Sequence, residues 1–280
     1  MELFEIVKIA GAVLAALIAS RTIWSGTRKW YLKGWGSRRV WRKKLNLISN
    51  WVTDEYVKDL LGTPVFRNQG SVSDGTQGEK KAWIDRVYST PHAFVATRSI
   101  NERVEAWSVT VIDPKFLWSV ENATFGIIRG KLGRSTFESL NAKPSGWIES
   151  CGANTYEYAE VSYLGNPGGY QNFTFMHTQA GIGAIHPSGH SLVIAGVFSG
   201  GTDSSKVHAQ APPDETRKKT TVNTILVTSP SLIVKNIPKH GWPVAGREQT
   251  RLLHQYRRPH VSWPKRLIEW GRQRLTRLGT

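Results

Sequence analysis

Residues 9–20, IAGAVLAALIAS, carry no charge, and residues 21–44 immediately after them carry nine Lys/Arg and no acid. This juncture constrains the chain more than any other feature. An apolar run leaves water, either for hydrocarbon or for a protein core. A block of nine cations stays with water or with anions.

Residues 3–24 form a 22-residue stretch that as a helix would be roughly 33 Å long, enough for a hydrocarbon core of ~30 Å. Glu5 and Lys8 interrupt it. Three apart, they can pair on one helical face, and Lys8 can extend its head group to the near interface. Trp24 then falls at the far interface, where indoles are favoured. A transmembrane helix over residues 1–24 is the expectation, and a buried core helix is the alternative. A cleaved leader fits less well, because the cations follow the apolar run and no small-x-small site closes it. The cation-rich flank stays on the cytoplasmic side. The expected localisation is the inner cell membrane, single-pass, with the N-terminus out and the C-terminal domain cytoplasmic.

The net charge of +16 sits wholly in two flanks: residues 21–44 contribute +9, residues 247–280 contribute +7, and the rest holds 19 cations and 19 anions. A fold that grips nucleic acid over its whole surface spreads its charge more widely. The single cysteine, Cys151, excludes an intramolecular disulfide and any four-cysteine metal site within one chain. A reducing compartment fits.

On a helical wheel, Trp24, Trp30, Tyr31, Trp35 and Trp41 share an arc of about 140°, with most of the cations beside it, the pattern of a helix lying in a membrane interface. Gly26, Gly34 and Gly36 divide the stretch into two short pieces. Trp24, Arg28, Lys29, Trp30, Trp35, Trp41 and Arg42 are therefore the expected contacts with an anionic lipid bilayer. A solvated basic linker is the plain alternative. The tail, 247–280, contains PKRLIEWGRQRLTRLG, a second basic amphipathic candidate opening on Pro264. Nucleic acid is the rival partner, since interleaved Arg and Trp also suit phosphates and stacked bases.

In the neutral middle, LNLISNWVTDEYVKDLLGTP reads as a helix with Thr53 as N-cap, Gly62 as C-cap and Pro64 as a stop. Residues 67–81 read as a polar loop. AWIDRVY, HAFVATR and VEAWSVTVI read as strands, with SINER as a hairpin loop. In the third strand Val104, Ala106, Ser108 and Thr110 face one way, and Trp107, Val109 and Val111 the other. YEYAEVSYLG, YQNFTFMH, SLVIAGVF and NTILVTSPSLIVK continue the series, the first being strand or helix. Residues 209–219 read as an exposed loop. EYVKDLLGTP and EYAEVSYLGNP share Glu-Tyr and Leu-Gly-x-Pro about 103 residues apart, a candidate duplicated unit.

Chemistry-bearing patterns are few. His186 and His190 have the i, i+4 spacing of paired metal ligands, but Pro187 and Gly189 favour a turn. His177 is a third ligand only if the fold brings it near. Cys151 is a candidate nucleophile, although a lone cysteine is more often a small buried hydrophobe. FSGGTDSS, with Asp203, has the glycines and hydroxyls of an anion nest but not the lysine of a P-loop. No cofactor and no metal is expected.

YVKDLLGTPVF, AWIDRVY, VEAWSVTV, YLGNPGGYQNF and VNTILVTSP together resemble an uncharacterised bacterial family known only by a placeholder domain name. The resemblance covers roughly residues 53 to 257. It implies a β-rich body behind an N-terminal apolar segment, and no site residues. The helix, Leu-Gly-x-Pro, strand, strand order is also similar to the small outer-membrane assembly lipoproteins. This chain differs in having no lipobox cysteine, in its length and in the placement of its cations.

The expected fold class is α+β: one transmembrane helix (1–24), a basic aromatic juxtamembrane segment (25–52), a mainly antiparallel β-rich domain with few helices (53–246) and a basic helical tail (247–280). The expected function is a single-pass membrane-anchored protein whose cytoplasmic domain binds an unknown protein or small ligand. The alternatives are a membrane-tethered hydrolase using Cys151 or His186 with His190, and a basic nucleic-acid-binding protein with a buried N-terminal helix.

Overall fold

The computed structural model describes residues 35–73, 80–152, 155–187, 212–230, 232 and 243–245. Helix α1 is Trp35–Leu45 and α2 is Asp54–Leu61. Four strands follow: β1 Phe66–Ser73, β2 Lys80–Ser89, β3 Ala93–Ile100 and β4 Arg103–Val111. A connector carries the two-residue strands β5 Trp118–Ser119 and β6 Lys131–Leu132. Then come α3 Phe137–Leu140, β7 Gly146–Gly152, β8 Thr155–Tyr163 and β9 Asn172–His177. Helix α4, Asp214–Lys219, and β10, Thr224–Thr228, complete the described elements.

Eight strands form one antiparallel sheet in the order β1-β2-β3-β4-β10-β9-β8-β7. It consists of two four-stranded meanders, β1–β4 and β7–β10, that meet along their last strands, with Ser108 opposite Leu226 at the middle of the seam. Each meander is introduced by a capped helix on the same face of the sheet. Thr53 caps α2 by accepting from the Tyr56 amide, and Gly62 ends it at φ 95°. Thr136 caps α3 in a capping box with Ser139, and Asn141 ends it at φ 51°. A threonine oxygen satisfies an orphan first-turn amide, and glycine or asparagine tolerates positive φ at the other end. Proline follows each exit, at Pro64 and Pro144. Both capping threonines also bridge their unit's last strand or its approach, Thr53 to Arg103 and Thr136 to Thr221.

The chain is thus two like units joined edge to edge. The duplicated pair expected from Glu-Tyr and Leu-Gly-x-Pro is not the one observed: 55–61 lies in α2, but 157–163 lies in strand β8. The units differ in their last hairpin. Asn101 and Glu102, both at positive φ, close β3 onto β4 in two residues, the backbone twist that a tight hairpin requires. In the second unit, residues 178–223 intervene between β9 and β10 and carry α4.

The main core lies between one sheet face and the segments laid over it. Trp107, Val109, Ile225, Val227, Phe173, Phe175 and Tyr158 point into it from the strands. Leu45 of α1, Val57 of α2, Phe137 and Leu140 of α3, and Phe116, Trp118, Ile128 and Leu132 of the connector meet them. Each such side chain contributes roughly 1.5–3 kcal/mol by leaving water. The opposite face holds a smaller cluster, Ala106, Ile148, Ala159, Val161, Met176 and Leu226, with Leu232 and Val244 against it. Two of its buried hydroxyls are bonded: Thr224 donates to Thr110 across strands over 2.9 Å, and Ser108 to the Pro243 carbonyl over 2.6 Å.

Two sequence expectations are corrected here. The fold is mainly an antiparallel β-sheet with few helices, not an α+β class led by a transmembrane helix. No helix among the described residues is long and apolar enough to cross a membrane. The expected span, 1–24, lies outside the described residues, and Glu5 and Lys8 leave it only 12 uncharged residues in a row, about 18 Å against the ~30 Å required. The single-pass, inner-membrane localisation that depended on the span is corrected with it. The first helix among the described residues, α1, carries five cations in 11 residues.

Candidate functional site

Helix α1 is a working part of the β domain. Its apolar side is closed onto the core: Leu45 is buried and Trp41 packs against the same cluster. Lys44 donates to the Leu60 carbonyl over 2.7 Å and stands over the Trp41 ring. Trp118 Nε1 donates to Asn46 Oδ1 over 2.8 Å, tying the end of α1 to the connector. Arg39, Arg42 and Lys43 project outward and are exposed. Their i, i+3, i+4 spacing stacks three like charges on one side of the helix, a mildly unfavourable arrangement in isolation. None of the three pairs with an acid among the described residues.

The first turn of α1 crosses one end of the sheet. There the β2–β3 turn presents His92, and the residues after β4 present Asp113. Ser37 Oγ lies 3.0 Å from His92 Nε2, and His92 Nδ1 lies 2.8 Å from Asp113 Oδ2. With the proton on Nδ1, the ring donates to the carboxylate and Nε2 accepts from the serine. Phe116 stacks on the imidazole at 5.0 Å and 13°. Arg38 Nε donates to the same Asp113 oxygen over 2.9 Å, and the Lys115 amide donates to the other. Partial burial opposes ionisation of Asp113, but the Lys115 amide and the Arg38 guanidinium outweigh it and hold the carboxyl below its usual range.

A second polar cluster lies on the covered face at the other end of the sheet. Arg217 of α4 donates from Nε to Glu160 Oε1 over 2.8 Å, and Tyr158 donates to the same oxygen over 2.8 Å. Arg217 also donates to the Ala142 carbonyl, past the end of α3. Glu160 is only 1% exposed. Burial raises its pKa, with Arg217 opposing, and burial together with Glu160 raises that of Tyr158. Sealed in this way, the cluster latches α4 to β8 and α3. On the opposite face of β8, burial pushes half-buried Glu157 up to about 7.

The residues singled out in the sequence are placed as follows. Trp24, Arg28, Lys29 and Trp30 lie outside the described residues; Trp35 opens α1, Trp41 faces the core and Arg42 faces out. His177 is buried in β9, where its Nδ1 donates to the Thr221 carbonyl over 2.8 Å, and burial lowers its pKa. His186 is held through its backbone by Thr220. Cys151 is a backbone partner of Tyr156 in β7. His190 and Asp203 lie outside the described residues. Among the described residues, no three His, Cys, Asp or Glu side chains are grouped to hold a metal. Ser37, His92 and Asp113 carry no local sequence signal, since 55 and 21 positions separate them.

Comparison with family models, curated proteins and solved structures finds no match for the chain.

Proposed function

We propose that the chain is a binding module for a phosphate-bearing polyanion, with the outward side of α1 as its described contact surface. The observation that carries this reading is the row Arg39, Arg42 and Lys43, exposed and without an acidic partner among the described residues. It belongs to a segment, 21–44, with nine cations and no acid. An anion bridging the row would relieve the like-charge repulsion along the helix. Because Trp41 and Leu45 are turned into the core, α1 meets its partner through charge rather than by laying an apolar face into lipid. Placement of Arg42 and Lys43 in the last turn also favours the helix dipole, so binding, not stability, is the discriminating measurement.

The test uses the full chain, a 20-nucleotide duplex, and vesicles of anionic phosphatidylglycerol, each titrated between 50 and 200 mM salt. Arg39→Glu with Arg42→Glu and Lys43→Glu is expected to weaken binding at least tenfold. On duplex the salt slope should shrink by about 0.9 for each phosphate that is no longer neutralised. Binding to duplex alone assigns nucleic acid, and binding to vesicles alone assigns a headgroup surface. Equal affinity of the wild-type and reversed proteins, or no binding by either at 50 mM salt, removes the proposal.

A further inference from the structure

We propose that Ser37, His92 and Asp113 form a nucleophile–base–carboxylate relay that cleaves a small carboxylic ester. The relay is on the sheet-facing side of α1, opposite the cation row, and does not depend on polyanion binding.

Three observations support it together. The connectivity is the one that acyl transfer needs: serine oxygen to Nε2 at 3.0 Å, and Nδ1 to a carboxylate at 2.8 Å. The base is fixed in tautomer by Asp113 and in plane by the Phe116 ring. The nucleophile stands in the first turn of an 11-residue helix, Trp35-Gly36-Ser37, whose amides have no carbonyl partner within the helix. Those N–H groups make up the positive end of the helix dipole, on the turn that carries the serine, where an oxyanion would form. Gly36 adds no side chain there. Ser37 is 7% exposed and His92 8%, so an ester must be small to reach the serine.

The step balances with water as the only co-reactant. Ser37 Oγ bonds to the ester carbonyl carbon as its proton passes to His92 Nε2, and the carbonyl electron pair moves onto oxygen. Collapse of that adduct breaks the bond to the alkoxy group, which leaves with the proton from Nε2 as an alcohol. Water then attacks the acyl-serine, giving its proton to Nε2. The second collapse releases the carboxylic acid and returns the proton to Ser37. Asp113 stays ionised throughout, held so by Arg38 and the Lys115 amide. The competing account is that the same contacts only pin α1 to the sheet, with the Arg38–Asp113 ion pair at their centre.

The full-length protein is treated with a fluorophosphonate probe, and the labelled peptide is located by mass spectrometry. The adduct is expected on Ser37, absent from Ser37→Ala, and formed at least 100-fold more slowly in His92→Gln. Hydrolysis of p-nitrophenyl acetate should fall in parallel in both variants. Ser37→Ala removes one oxygen from a helix and keeps the fold, as far-ultraviolet circular dichroism would verify. That protects the test if His92→Gln unfolds. A folded wild-type protein with no adduct at Ser37, or with esterase activity that survives Ser37→Ala, overturns the proposal and leaves the contacts as a latch.

Discussion

Replacing Arg217 by Met is expected to destabilise the domain by roughly 3–5 kcal/mol, the cost of leaving a buried charge without its partner. The charge left behind is Glu160, 1% exposed, whose Oε1 would keep only the Tyr158 hydroxyl. The Ala142 carbonyl would lose its donor as well. The loss should depend on pH with a definite sign. Burial already raises the pKa of Glu160 against the opposing effect of Arg217, and removing the guanidinium raises it further. An acid with a raised folded pKa is tolerated in the fold as its neutral form. As pH rises past the ordinary carboxyl range, the unfolded chain gives up its proton first, and stability falls until the folded group ionises too. The Met variant should therefore be closest to wild type near pH 5 and furthest from it near pH 8. Adding Glu160→Gln should recover most of the loss, since no charge then remains buried. Urea unfolding of the three proteins at both pH values measures this. A pH-independent loss below 1 kcal/mol for Arg217→Met would show that the cluster is open to water.

Trp118→Ala carries the second large effect, roughly 3–5 kcal/mol from the cavity left by a fully enclosed indole. Trp118 is 1% exposed and belongs to the connector between the two units. Its Nε1 also holds Asn46, just past α1. Trp118→Phe keeps a six-membered ring but removes the donor and the rest of the buried indole, so it should cost less than the alanine variant, roughly 1–3 kcal/mol, with Asn46 exposed and able to take water as its partner. The difference between the two variants reads what the six-membered ring contributes to the core. Similar losses in both would mean that the donor edge of the indole, not the six-membered ring, holds the connector.

Strands β2 to β4 were legible in the sequence because alternation is strong where one face is buried. In β4, Trp107, Val109 and Val111 point to the main core, and Ala106, Ser108 and Thr110 to the other face, whereas Val104, expected beside Ala106, joins the main core because the pairing with β3 slips there, Arg98 facing Ala106 and Ser99 facing Val104. Helix α2 was legible from its caps. Strand β1 was not: Arg-Asn-Gln-Gly-Ser reads as loop, and an edge strand with exposed residues needs little apolar character. Its Gly70 instead lies against the Trp83 ring of the neighbouring strand, with no room for a Cβ. Helix α4 was missed because six residues are too few to show periodicity. The repeat was sought in a shared motif, whereas the units share positions: a capping threonine, a left-handed exit residue and a proline. The basic segment was read as one interfacial surface because a wheel shows which residues share a side, not what that side meets. Trp41 meets the sheet. The Ser37, His92 and Asp113 grouping depends on α1 folding back across the sheet end, a tertiary event without a local trace.

Both functional proposals require that α1 be docked in solution as an integral element. Amide hydrogen exchange on the full-length chain tests this most directly. The amides of residues 39–45 should exchange as slowly as those of β3 and β4, at the rate of global unfolding. Exchange of these amides within seconds, while the sheet stays protected, would mean that α1 leaves the domain. The cation row would then have no fixed geometry, and Ser37 would have no base.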